Sequence, residues 1–186
     1  SWINDGRVIL SGGTVIGGSI SNSTAKTITG YGTIAAALVN SGKADAACDL
    51  LRAVEQKWPD DARVQFLIVD VERTRRDFDA AERAARRVMA LQPGQPFGVQ
   101  PLAQVLADRR QFREVVTTLE PALATIDTQP DGSRSALSLR LALGEAYLAL
   151  REFDKAIATY DRASRDGGAD PALDAARIQA YVDAGR

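Results

Sequence analysis

Hydrophobic and polar positions follow two different rhythms along the 186-residue chain. In residues 1–30, "SWINDGRVILSGGTVIGGSISNSTAKTITG", short apolar runs such as "RVIL", "TVIGGSI" and "KTIT" are bounded by Gly, Ser and Asn. Short β-branched runs closed by turn residues predict short strands. From Lys43 onward apolar residues recur at helical spacing among Ala, Leu, Arg, Asp and Glu. That spacing lines one face of an α-helix. The pattern predicts a mainly α fold with a short β-prone N-terminal segment.

The helical part repeats. "SGKADAACDLLRAVEQKWPDD", "RRDFDAAERAARRVMALQPGQ", "RRQFREVVTTLEPAL" and "LREFDKAIATYDRASRDGGAD" align with one another. Ala44, Phe78, Phe112 and Phe153 share one place in them, at spacings of 34 (78 − 44), 34 (112 − 78) and 41 (153 − 112). A 34-residue period with one insertion predicts a solenoid of helical hairpins, each burying its apolar face against its neighbours.

These units resemble tetratricopeptide repeats, and the resemblance implies an α-α superhelix of antiparallel helix pairs. The frame falls at 28–61, 62–95, 96–129 and 137–170, with a partial unit at 171–186, so residues 31–186 form the repeat body. Where that family places small residues at the helix crossing, this chain has Ala35, Val69, Ala103 and Gly144 on first helices and Ala47, Ala81 and Ala156 on second helices. Leu38, Leu106, Tyr147, Tyr181, Leu51, Leu119 and Tyr160 fill the large places. Pro59 and Pro93 end second helices, since proline lacks an N–H and fixes φ. The resemblance further implies a concave groove lined by first helices. It directs Arg63, Phe66, Asp70, Arg73, Gln100, Gln104, Asp108, Leu141, Glu145 and Gln179 toward a partner segment. The Lys and Asn residues with which one subclass grips an acidic carboxyl terminus are replaced here by Phe66, Asp70, Gln100 and Gln104, so that clamp is missing.

The third unit departs from the pattern. Val115 replaces a small crossing residue, and Pro101 and Pro121 lie inside expected helices, predicting a bend or a shortened helix. "TQPDGSRSA", Thr128 to Ala136, carries a Pro-Asp-Gly turn and holds the seven inserted residues (137 − 130) as a loop. The last unit has only its first helix, which is expected to expose apolar surface.

The stretch "YGTIAAALVNSGKAD" is the junction. "GTIAAALVNSG" echoes "GTVIGGSISNS" at a shift of 19 (32 − 13), which favours a strand. Ala-rich sequence, and the need of the next helix for a partner, favour a short helix from about Thr33 to Ser41, the reading adopted here. The phrase "TITGYGTIAAALVN" resembles β-helix repeats of bacterial autotransporters and surface adhesins, which would place a longer parent protein in a periplasmic or cell-surface setting rather than the cytoplasm. The chain starts at Ser1 and stops at Arg186 inside an expected element, so a longer parent is expected and the lack of a leader carries no information.

Composition then narrows the chemistry. Lys and Arg total 23 against 24 Asp and Glu, leaving no net basic character to attract nucleic acid. No apolar run approaches the roughly 20 residues needed to span a bilayer. The absence of histidine removes His-based acid/base catalysis and His metal sites. The single Cys48 has neither a disulfide partner in the chain nor an imidazole to activate it, and reads as a packed structural thiol. The arginines of "ERTRRDFD" and "ERAARR" are interleaved with acids and read as exposed helix faces with i,i+4 pairs. "SGGTVIGG" lacks the Lys-Ser/Thr of a phosphate loop. No residue set points to catalysis, a cofactor or a metal. The expected function is a non-catalytic scaffold that binds a protein or peptide partner in the groove. The alternatives are a part of a bacterial surface or export assembly, or an accessory domain of an enzyme whose catalytic domain lies elsewhere.

Overall fold

A computed structural model of the chain describes residues 42–128, 136–167 and 171–185. The strands predicted within 1–30, the short helix predicted at 33–41, and nearly all of the predicted 128–136 loop lie outside those residues. Among the described residues there are eight helices and no strand: α1 (Ala44–Lys57), α2 (Ala62–Arg75), α3 (Phe78–Leu91), α4 (Pro96–Asp108), α5 (Phe112–Ile126), α6 (Leu137–Ala149), α7 (Phe153–Gly167) and α8 (Pro171–Asp183).

Local chemistry sets the helix ends. Asp61 precedes α2 and accepts a bond from the Arg63 backbone N–H at 2.9 Å, satisfying one of the helix's orphan donors. Asp77 does the same for α3 through Ala80 N–H at 3.0 Å. Pro96 opens α4, where its missing N–H costs nothing. The backbone enters the left-handed region at Gly42 ahead of α1, with φ of 76°, and at the turn inside each later hairpin, where Arg76, Arg110 and Arg151 have φ of 61°, 59° and 61°. After Arg76 the Asp77 N–H reaches back to Glu72 O at 3.0 Å, and the Arg76 N–H to Arg73 O at 3.0 Å. The same two bonds recur at Gln111 to Leu106 with Arg110 to Ala107, and at Glu152 to Tyr147 with Arg151 to Leu148. This paired reach-back is the Schellman arrangement, which ends a helix and reverses the chain.

The helices pack as successive antiparallel neighbours, each on the next, in an α-α superhelix. A second set of contacts joins α2 to α4, α4 to α6 and α6 to α8, and no comparable seam joins α1, α3, α5 and α7. Inside each hairpin the crossing residues are fully buried: Val69 and Ala81, Ala103 and Val115, Gly144 and Ala156. A Cβ added at Gly144 would come within 2.3 Å of the Tyr160 ring, so the large residue of one helix sits directly on the small residue of the other. One continuous apolar core runs from α2 to α8, with smaller clusters between α1 and α2.

The expectation of a shortened helix in the third unit is not met. α4 runs through Pro101 over 13 residues and α5 through Pro121 over 15. An interior proline costs about 3 kcal/mol. Burial offsets this in α4, where Gly98, Val99, Pro101, Leu102, Ala103, Val105 and Leu106 are all inside. On α8 the expected apolar exposure is present: Ile178 is 61 % exposed, Tyr181 37 % and Val182 62 %.

Candidate interaction groove

Because α2 meets α4, α4 meets α6 and α6 meets α8, with no comparable seam along the intervening helices, the stack is closest along the first-helix side. A solenoid that is tighter on one side curves toward that side, which is the side where the resemblance expects a groove. On α2, Arg63, Phe66, Asp70 and Arg73 follow each other at steps of three and four, one stripe of the helix. On α4, Gln100, Gln104 and Asp108 do the same.

The two stripes meet. The Phe66 ring stacks on Phe97 of α4, with centroids 4.8 Å apart and planes 15° apart. Two turns along α2, Arg73 Nε donates to Asp108 Oδ2 at 2.6 Å and its Nη1 to Gln104 Oε1 at 3.3 Å. Asp70 lies 3.9 Å from Arg73 Nη1 and keeps half of its side chain exposed. Desolvation nevertheless raises its pKa above the ordinary carboxylate value, offset in part by the charge of Arg73. Arg63 folds back onto Asp61 at 2.8 Å, and the guanidinium holds that carboxyl below its ordinary value. An open depression between the starts of α2 and α4 is lined by Asp60, Asp61, Arg63, Gln92, Gln95 and Phe97.

The other residues of the stripe stand apart from this cluster. Leu141 on α6 is half-buried against the main core, and Glu145, one turn on, is exposed. Gln179 on α8 is exposed and donates to Asp183 of its own helix at 2.7 Å. Phe97, 39 % exposed, is missing from the set read from the sequence. Its signal is present there, because it sits three and seven residues before Gln100 and Gln104 on the same stripe.

Arg76, Arg83, Arg86 and Arg87 are exposed as expected, and several of the arginines also pair beyond their own helix. Glu82 and Arg86 form the predicted i,i+4 pair at 2.7 Å. Arg87, by contrast, bridges to Pro59 O and Asp60, and Arg109 bridges from the end of α4 to Asp79 and Glu82 of α3. Arg75 is only 27 % exposed and reaches both Asp45 of α1, at 2.8 Å, and Glu72, at 2.5 Å. A planar guanidinium with five donors suits such bridging better than a lone helical pair.

Glu72 itself is 2 % exposed. It accepts a bond from Cys48 Sγ at 2.9 Å while Arg75 holds its other oxygen. Burial, and then the bond to Glu72, push the Cys48 thiol up to about 11. A thiol so placed stays protonated at neutral pH and is no nucleophile. Among the described residues no group of three or more His, Cys, Asp or Glu side chains is arranged to hold a metal ion. No described helix is long and apolar enough to cross a membrane.

No family model matches the sequence, and no curated protein matches it. Solved structures share its fold. It is similar to TTC0263, a thermophilic tetratricopeptide-repeat protein of Thermus thermophilus, at 21% identity over 86% of this chain and 84% of that one, with a TM-score of 0.60. MamA residues 41 to the end from Desulfovibrio magneticus RS-1 gives 16% identity over 85% of each chain and a TM-score of 0.64. A chain of the Cut9–Hcn1 hetero-tetramer of the APC/C gives 14% over 86% of this chain and 31% of that one, with a TM-score of 0.65. At such identities the likeness establishes a tetratricopeptide-type fold and nothing finer.

Proposed function

We propose that this protein is an interaction scaffold that seats an extended or helical segment of a partner protein on the concave face of α2, α4, α6 and α8. The observation that carries this reading is the junction of α2 and α4, where a half-exposed aromatic pair, Phe66 and Phe97, lies beside the polar set Arg73, Gln104 and Asp108. Aromatic anchors flanked by fixed hydrogen-bonding groups are the usual make-up of a peptide-binding centre. Of the similar structures, Cut9–Hcn1 is a hetero-tetramer.

The test is a double substitution, Phe66→Ala with Gln104→Ala. Neither residue is fully buried, so helix content by circular dichroism should stay unchanged. Affinity for a bound partner, read as recovery in a pull-down, should fall by more than about tenfold, because loss of an aromatic anchor costs about 2 kcal/mol of binding. Unchanged circular dichroism together with unchanged recovery would remove the groove from consideration.

A further inference from the structure

The charges along the first-helix stripe do not balance. Its cations are Arg63 and Arg73, and its anions are Asp61, Asp70, Asp108, Glu145 and Asp183. Both cations are already engaged, Arg63 with Asp61 at 2.8 Å and Arg73 with Asp108 at 2.6 Å. Asp183 accepts from Gln179. Asp70, 3.9 Å from Arg73, and exposed Glu145 are left as the surplus.

These two acids occupy equivalent places. Asp70 follows Phe66 by one turn on α2, and Glu145 follows Leu141 by one turn on α6. Each helix thus presents an apolar side chain with a carboxylate beside it. α4, between them, contributes neutral Gln100 and Gln104 at the corresponding places. Helices pack at about 10 Å, so α2 and α6 stand about 20 Å apart across α4. An extended chain advances about 3.3 Å per residue and would span that distance in about six residues. At an even spacing of that order, both side chains point the same way.

We infer that the groove selects a basic, apolar peptide: an extended segment with two Lys or Arg residues about six positions apart, each next to an apolar side chain on the same face. The cations pair with Asp70 and Glu145, and the apolar side chains cover Phe66 and Leu141. This inference rests on the groove reading above. Desolvation raises the Asp70 pKa, and a partner's cation beside the carboxylate would offset that effect, as Arg73 does only in part because it is shared with Asp108.

The test uses fluorescence anisotropy with a labelled peptide carrying two Lys-x-Leu units about six residues apart, and the same peptide with Gln or Glu in place of Lys. The Lys peptide should bind best and the Glu peptide worst, with the preference shrinking as salt is raised. Asp70→Asn combined with Glu145→Gln should weaken the Lys peptide about tenfold and leave the Gln peptide unchanged. Equal binding of all three peptides, or no effect of that double variant, overturns the charge inference. If Phe66→Ala with Gln104→Ala still abolishes binding in that case, the groove reading survives. If it leaves every bound peptide unaffected, the groove reading falls as well. Should none of the three peptides bind, the charge inference is overturned and the pull-down decides the groove separately.

Discussion

Glu72 occupies the place that later units fill with Leu106 and Tyr147, the large residue on the first helix. A carboxylate there is tolerated because Cys48 and Arg75 satisfy both of its oxygens, and removing one partner would leave a buried charge uncompensated. Cys48 follows from the same geometry. Its folded pKa of about 11 lies above the ordinary value near 9.0, so the folded state holds the proton more tightly than the unfolded chain. The stability this provides is complete below about pH 9 and is lost as pH rises toward 11. Cys48→Ala should therefore flatten the fall in unfolding free energy across that window, measured by urea titration at stepped pH. A slope identical to that of the unchanged protein would remove the thiol from the account. The sequence made a packed cysteine legible from its setting on an amphipathic run. It did not show Glu72 as a core residue, because composition counts it simply as one of the acids that neutralise nearby arginines. Only its position in the repeat frame, between Ala62 and Arg75 where a leucine or tyrosine stands elsewhere, separates it from them.

Helix boundaries were largely legible, and the reason is that each one has a local cause. Phe78, Phe112 and Phe153 are the first residues of α3, α5 and α7, each following a left-handed turn residue and one further position. That three of those turns use arginine rather than glycine concealed the conformation, since an L-residue with positive φ leaves no mark in composition. The prolines do not shorten α4 or α5, for a different reason. Helix-breaking is a local penalty, whereas α4 is held by a wide buried face that includes Pro101 itself, and tertiary packing prevails. The Gly144 and Tyr160 contact offers a direct check at this scale. Gly144→Ala improves helix propensity by about 1 kcal/mol but drives a methyl group to 2.3 Å from the ring. Overpacking should win, giving a net loss of about 1–2 kcal/mol in chemical denaturation. Tyr160→Leu added to Gly144→Ala should recover part of it, and the absence of any recovery would mean that the clash is not the cause.

At the scale of the whole molecule, the inserted segment after α5 poses the question of how two halves of the stack remain one. Arg140 of α6, 2 % exposed, pairs with Asp127 at the end of α5 and lies 3.2 Å from Asp166 of α7. Arg162 of α7 also holds Asp127, at 2.7 Å. One buried guanidinium thus binds three successive helices across the insertion. Arg140→Met should cost about 3 kcal/mol, because it leaves two inward carboxylates with a single exposed cation between them. Asp127→Asn and Asp166→Asn in the same background should restore part of the loss, and a cost below about 1 kcal/mol in urea unfolding would show the network to be dispensable. Nothing in the sequence marks Arg140 for this role, since pairing across 13 residues and the inserted segment appears only after the chain is folded. The seam formed by α2, α4, α6 and α8 has a mechanical meaning too. Every helix packs on its chain neighbours as well as along the seam, so a change of curvature must shift all of these packed pairs together. The shape of the stack is therefore tied to the volumes of the side chains where neighbouring helices cross, as at Gly144 against Tyr160.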